Sequence, residues 1–271
     1  MLYSDNAMID EVLSFHAVSL VRGQNELLCG IDLQLASGQM LALLGPNGAG
    51  KTSLLNCVNG IKDYSGTIML HGRSVLDFNL KQRAKILALL PQQSALSFPF
   101  SVSEIVMLGR YSHRTGNRID CAITDRLLDL MHLTALAGRP YTSLSGGEKQ
   151  RVQLARVLSQ LVLTEDLALH RGSVLLLDEP VSSLDLLHQS SLMKVLKQLC
   201  DTGLAVAVVL HDLNLAAAYA DQCALLKKGK LIASGTVEEV MTAPLIKQAY
   251  GIDVDIILHP KTAKPLVIRD H

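Results

Sequence analysis

Gly45-Pro46-Asn47-Gly48-Ala49-Gly50-Lys51-Thr52-Ser53 combines glycines, one lysine and adjacent hydroxyls in the spacing GxxxxGK[ST]. A loop of this composition can curl so that successive backbone N–H groups point inward at phosphate oxygens. The helix that follows would add the partial positive charge of its N-terminus. Lys51 is then placed to reach β- and γ-phosphates, and the Thr52 hydroxyl to ligate Mg²⁺. A second group, Asp178-Glu179, closes the apolar run 174–177. Asp178 suits Mg²⁺, directly or through water, opposite Thr52. Glu179 points elsewhere and suits a general base that polarises an attacking water. A third segment is Leu144-Ser145-Gly146-Gly147-Glu148. Ser145 and Glu148 make an ordinary capping box. Gly146 and Gly147 cost helix stability, which makes sense if the helix N-terminus must approach a phosphate closely.

These groups need rigid elements to hold them. The apolar run 40–44 reads as a strand and 51–58 as a helix stopped by Gly60, so the glycine-rich loop joins a strand to a helix. Upstream, Ile31, Leu33 and Leu35 alternate with Asp32, Gln34 and Ala36. The first forty residues thus read as antiparallel strands, with a turn at Ser37-Gly38. A short strand over 67–70 ends at His71-Gly72. From about 93 to 160 the pattern is helical, with apolar spacings of three and four over 101–110 and 122–137. After Gly172, strands at 174–177 and 204–210 alternate with helices at 187–199 and 213–219. A hairpin follows (224–226 with 231–233), and a second one starts at Gly251, with His259-Pro260 and Lys264-Pro265 in its turn. Buried runs followed by helices imply parallel strands with crossover connections. Asp178 and Glu179 then lie at the carboxyl edge of the sheet, where ligands bind.

Composition removes several alternatives. The 271 residues are 49% hydrophobic, enough for a full core. The 25 basic and 25 acidic residues cancel, which speaks against a nucleic-acid partner. Aromatic residues are 4% and Trp is absent, so a base-stacking platform is not expected. With only 18% charged residues, the chain has either a large core or apolar surface that a partner covers. The longest uncharged stretches, 33–50 and 86–103, carry Gly, Pro, Gln, Asn and Ser, which a lipid-facing helix would not tolerate. Acidic residues near the start argue against a secretory leader. Five widely spaced cysteines without CxxC suggest reduced thiols rather than disulfides or zinc. The expectation is a soluble intracellular chain.

The chain resembles the ATP-binding subunits of ABC transporters over essentially its whole length. The phosphate loop, Leu144–Glu148 and Asp178-Glu179 stand in that family's order. Gln92 after Pro91 matches its glutamine loop, Ser183-Leu184-Asp185 its D-loop, and His211 after a strand its switch histidine. The resemblance implies an α/β fold: a P-loop ABC ATPase core with an N-terminal antiparallel β subdomain and an inserted α-helical subdomain. It implies one domain, 1–271. Residues 1–92 and 161–250 would form the β subdomain and RecA-like core, 93–160 the helical signature subdomain, and 251–271 a C-terminal hairpin. It further implies that ATP and Mg²⁺ bind between two facing copies, each ATP between one phosphate loop and the other copy's signature. Ser145 and Gly147, flanked by Gly146 and Glu148, would contact the γ-phosphate in trans. His211 would sense that phosphate, and Gln92 would sit near Mg²⁺ and relay its state to the helical insertion. One departure stands out. The family's adenine-stacking aromatic falls here on Arg22, beside Val21, whose planar guanidinium can stack on a base.

Within the family, Leu90-Pro91-Gln92-Gln93, Leu108-Gly109-Arg110-Tyr111 and His211-Asp212-Leu213-Asn214-Leu215-Ala216 resemble importers of iron chelates and cobalamin. Leu144 and Asp178 lie 34 positions apart, more than a minimal member needs. The extra segment, 161–172, and the His-Pro turn of the tail look like those of haem-importer ATPases. His170 need not touch haem, since an ATPase on the cytosolic side is not expected to select cargo. The resemblance implies a homodimer on two permease subunits at the cytoplasmic face of a bacterial inner membrane. A periplasmic haem-binding protein would be an indirect partner. The rivals are a ferric-siderophore or cobalamin importer and a soluble, non-transport ABC ATPase. A small-molecule kinase has no use for the signature or the switch histidine.

Overall fold

A computed structural model of the chain describes residues 11–60, 63–92, 98–113 and 115–269. The acidic N-terminus and Gln93 lie outside the described residues. In chain order the strands are β1 (Glu11–Arg22), β2 (Asn25–Ala36), β3 (Met40–Leu44), β4 (Tyr64–Leu70), β5 (Arg73–Ser74), β6 (Leu87–Leu90), β7 (Val174–Asp178), β8 (Ala205–Val209), β9 (Gln222–Lys227), β10 (Lys230–Thr236), β11 (Val254–Leu258) and β12 (Pro265–Arg269). The α-helices are α1 (Lys51–Asn59), α2 (Leu80–Ala84), α3 (Val102–Leu108), α4 (Asn117–Leu130), α5 (Gly146–Leu161), α6 (Leu186–Asp201), α7 (Leu213–Tyr219), α8 (Val237–Val240) and α9 (Ala243–Tyr250).

The antiparallel β1, β2, β4 and β5 form one sheet in the order β2-β1-β4-β5. The central sheet runs β10-β9-β3-β8-β7-β6, with β9, β3, β8, β7 and β6 mutually parallel and β10 antiparallel at the edge. Strands β3, β7 and β8 are buried along their whole length, as their unbroken apolar runs require. Their alternate residues divide between two cores. Met40, Ala42, Leu175, Leu177, Val206 and Val208 pack with α3, α4, α5 and α6. Leu41, Leu43, Val174, Leu176 and Val209 pack with α1 and the antiparallel sheet. Each fully buried Leu or Val contributes about 1.5–3 kcal/mol, so this two-sided sheet is the rigid frame of the molecule.

Helices α3, α4 and α5 form the insertion, and local chemistry sets their ends. Ser101 with Glu104 and Ser145 with Glu148 make complete capping boxes at α3 and α5. The helical spacing over 122–137 is interrupted: α4 stops at Leu130, His132 adopts φ +54, and a 3₁₀ turn follows over Thr134–Leu136. The α3–α5 contact depends on Gly109. A Cβ there would lie 2.0 Å from Ser159 Oγ and 2.1 Å from the Arg156 carbonyl. The adjacent Arg110 is buried at the C-terminal end of α5. It donates to the carbonyls of Ser159 (2.6 Å) and Val162 (2.5 Å), to Thr115 (3.2 Å) and to the Asp120 carboxylate (2.8 Å). These bonds satisfy carbonyls that a helix end leaves without partners.

The extra segment after α5 folds back on itself. Val162 bridges Leu169, the Leu163 N–H donates to the Ala168 carbonyl, and Leu167 and Leu169 pack against the helical-side core. The hairpin expected after Gly251 is β11–β12. Between the two C-terminal hairpins the chain forms α8 and α9, which the apolar periodicity did not reveal. All five cysteines are free, and burial pushes the thiols of Cys57 up to about 11 and of Cys200 and Cys223 up to about 12. Among the described residues no helix is long and apolar enough to cross a membrane.

Candidate functional site

The glycine-rich loop leaves the carboxyl end of β3 and enters α1 at Lys51. Gly45, where the chain leaves the sheet, has φ +138, and a Cβ there would lie 2.1 Å from the Leu226 carbonyl of β9. Only glycine fits that conformation and that approach. The loop is held from behind: the Gly45 N–H donates to the Tyr250 hydroxyl (2.8 Å), and the Gly229 N–H donates to the Ala49 carbonyl (3.0 Å). The Lys51 ammonium is folded into the loop, donating to the carbonyls of Gly45 (2.6 Å) and Pro46 (3.0 Å). Lys51 is only 6% exposed, and burial lowers its pKa, while the Glu179 and Asp178 charges oppose the shift.

Asp178 is the last residue of β7 and is 2% exposed. Burial, with the Glu179 charge behind it, raises its pKa, while a hydrogen bond from Thr52 acts the other way. Its Oδ1 is buried with no hydrogen-bond partner. An orphaned carboxylate oxygen beside a threonine hydroxyl is a donor set that fits a hard divalent cation. At Glu179 the chain turns with φ +53, a conformation rare for a residue with a Cβ. The turn takes the carboxylate off the strand line to His211, whose Nε2 lies 2.6 Å from Glu179 Oε1. Together with Gln92, Leu27 and the loop residues Asn47, Gly48, Ala49, Gly50, Lys51, Thr52 and Ser53, this pair lines one cavity of about 490 Å³.

The Ser145 segment lies apart from that cavity. Ser145, Gly146, Gly147 and Glu148 line a separate hollow of about 540 Å³ with Arg151, Ser183, Leu184, Asp185 and His188. The Glu148 carboxylate accepts from the Ser145 N–H and hydroxyl (both 2.8 Å), and these bonds hold its pKa below the usual value. Glu148 is thereby committed to the cap, and the free N-terminus of α5 faces outward.

The family model for ABC transporters matches residues 28–182, more than half of the chain. The chain belongs to the ABC transporter family. It is 46% identical to the hemin import ATP-binding protein HmuV of Pseudomonas putida, over 95% of this chain and 99% of that protein. It is 42% identical to HmuV of Pseudomonas aeruginosa, with the same coverage. Among solved structures it is similar to one described as an inward-facing metal-chelate type ABC transporter. The TM-score is 0.79 at 25% identity, over 97% of this chain and 98% of that one.

In this ABC ATPase chain the structure brings Lys51, Thr52, Ser53, Gln92, Glu179 and His211 to one cavity, with Asp178 behind it. Gly45 and Pro46 are not among the lining residues; their carbonyls hold Lys51. Arg22 is not among the lining residues. It ends β1, exposed and paired with Asn25 across the hairpin, and the apolar side chain on this side of the cavity is Leu27 of β2. The family resemblance implies a planar group at Arg22 beside the base; the side chain of this hairpin that lines the cavity is Leu27. Two further residues were missed, Leu27 and Tyr250. Tyr250 stands 205 positions from Gly45, so no local spacing signals the contact.

Proposed function

We propose that the chain is the ATP-hydrolysing subunit of a haem importer. Its similarity to hemin import ATP-binding proteins across nearly its whole length supports that cargo. The observation that carries the ATPase reading is the cavity shared by the phosphate loop and the Glu179–His211 pair, with the orphaned Asp178 oxygen beside Thr52.

ATP phosphates would accept from the loop N–H groups and the N-terminus of α1. Lys51 would exchange its two carbonyl partners for phosphate oxygens. Thr52, Asp178 and Gln92 would hold Mg²⁺, which when bound neutralises charge on the phosphate oxygens. Glu179 would take the proton of the attacking water as the water's oxygen bonds to the γ-phosphorus, with ADP leaving. His211 orients the Glu179 carboxylate through their hydrogen bond and reads the γ-phosphate. The in-trans arrangement is supported by the separate placement of the Ser145 segment. In one chain its helix N-terminus opens on a hollow that shares no lining residue with the phosphate-loop cavity, so a second copy would supply the partner cavity. Ser145 and Gly147 would then stabilise the γ-phosphate, with Gly146 allowing close approach and Glu148 holding the cap.

Residues 93–160 would move as the unit that carries this signature, with Gln92 at its hinge. Its surface has an apolar hollow of about 520 Å³ lined by residues including Phe100, Met107, Leu108 and Cys121. Phe98 and Tyr111 are 68% and 90% exposed nearby. Such a patch fits coverage by a permease subunit. Two permease subunits, a second copy of this chain and, indirectly, a periplasmic haem-binding protein complete the assembly. The ATPase would sit peripherally on the cytoplasmic face of the inner membrane.

Growth of a deletion strain on haem as sole iron source, and separately on a ferric siderophore, tests the cargo. Loss on haem alone is expected. Intact growth on haem with loss on the siderophore would leave the ATPase mechanism standing and refute the haem assignment.

A further inference from the structure

The C-terminal unit, α9 with β11 and β12, is bonded at two points to elements that carry residues of the cavity, and the mechanism above uses neither point. At the first, Tyr250 at the end of α9 accepts the Gly45 N–H at 2.8 Å. Gly45 sits where the phosphate loop leaves β3, wedged against the Leu226 carbonyl, so this N–H faces away from the nucleotide. The Lys227 ammonium, one residue past Leu226, donates to the Gln248 carbonyl and ties α9 to the same strand end. Gly251, at φ +76, ends the helix immediately after Tyr250.

At the second point, Asn214 of α7 grips the backbone of β12. Its Oδ1 accepts from the Val267 N–H (2.7 Å) and its Nδ2 donates to the Val267 carbonyl (3.2 Å), as a neighbouring strand would. The Lys264 ammonium donates to the Ala218 carbonyl at the other end of α7 (2.7 Å). Helix α7 begins directly after His211-Asp212, and Asp212 caps it by accepting from the N–H groups of Asn214 and Leu215. One unit therefore holds the root of the phosphate loop and the helix on which the His211 turn is built.

We propose that α9–β11–β12 is a brace for the nucleotide site, with Tyr250 the positioning residue for the phosphate loop and Asn214 that for the His211 turn. The proposal rests on the loop's reading as a nucleotide site. The Tyr250 hydroxyl touches only the loop's root, so its loss weakens every ligand that the loop grips by its phosphates and spares the chemical step. The Asn214 amide, on the helix behind His211, ties that helix to the Val267 backbone of β12, so its loss slows turnover and spares the loop.

The test uses the full chain and fluorescent ATP and ADP analogues. Tyr250→Phe keeps the ring and removes one hydrogen-bond acceptor. It is expected to raise Kd for both nucleotides about three- to ten-fold, with kcat at saturating ATP within about two-fold. Asn214→Ala is expected to lower kcat several-fold and leave ADP affinity unchanged. Thr202→Ala removes a hydroxyl that donates to the Leu199 carbonyl (2.7 Å) at the end of α6, away from the loop and α7, and leaves both readouts at the parent values. Circular dichroism of each variant confirms that the comparison is between folded proteins. Parent-like Kd values for Tyr250→Phe, with the parent binding nucleotide normally, refute the brace alone. A parent chain that binds no nucleotide refutes the site reading and the brace with it.

Discussion

Replacing Arg110 with alanine separates the scaffold of the signature helix from the phosphate site. The Arg110 guanidinium is buried and makes bonds to Asp120, Thr115 and the carbonyls of Ser159 and Val162. Truncation leaves the largely buried Asp120 carboxylate without its cation and strands carbonyls at the end of α5. Removing one partner of a buried pair costs about 3–5 kcal/mol. With an unfolding entropy near 2.1 cal/mol/K per residue, about 4 kcal/mol corresponds to a fall in Tm of roughly 7 °C for this chain. The loss is local to α3, α4 and α5, and the phosphate loop is built on the other core. Nucleotide affinity of the folded variant is therefore expected to hold, while ATPase activity, which needs the signature, falls. Thermal melts followed by circular dichroism give the first quantity, and nucleotide titration against steady-state hydrolysis gives the second. A Tm within about 2 °C of the parent, or an affinity loss as large as the activity loss, would refute the reasoning.

Three further substitutions probe the cavity. Burial raises the Asp178 pKa above its unfolded value, so its ionised form opposes folding; stability falls as pH rises from the unfolded to the folded pKa, and the penalty persists above both. Asp178→Asn is expected to raise the Tm of the nucleotide-free chain by about 2 °C, the response to roughly 1 kcal/mol, while abolishing Mg²⁺-dependent hydrolysis; a lower Tm would contradict the desolvation argument. Arg22→Ala is expected to leave ATP affinity within about two-fold, because Arg22 lies outside the cavity lining, whereas Leu27→Ser weakens it by removing about one buried apolar contact. Titration with the two variants side by side decides between the residues.

The parts of the site that rest on local chemistry were legible in the sequence. Residues 45–53 and Asp178-Glu179 are runs whose composition dictates a turn, a helix start and a strand end, and β3 and α7 fall at 40–44 and 213–219 as read. The Ser145–Glu148 spacing carried two meanings at once, and the single chain realises the capping box. Contacts between distant residues left no such trace. That Leu27 and not Arg22 lines the cavity follows from the fold of the β1–β2 hairpin, and Tyr250 meets Gly45 through tertiary packing alone. Helices α8 and α9 are too short for periodicity, although Thr236 with Glu239 spells a capping box, and Pro244 and Gly251 bracket α9. His132 ends the helical turn after α4 in a left-handed conformation that nothing in the apolar spacing announces.

Glu179 acts in this mechanism as the base for ATP hydrolysis, at the cavity lined by the phosphate loop and His211. The most direct measurement is steady-state ATP hydrolysis by Glu179→Gln, with ATP affinity measured on the same preparation. The account predicts unchanged ATP binding and a rate at least about 100-fold below the parent, with ATP held in a closed pair of subunits. Hydrolysis at the parent rate would contradict it.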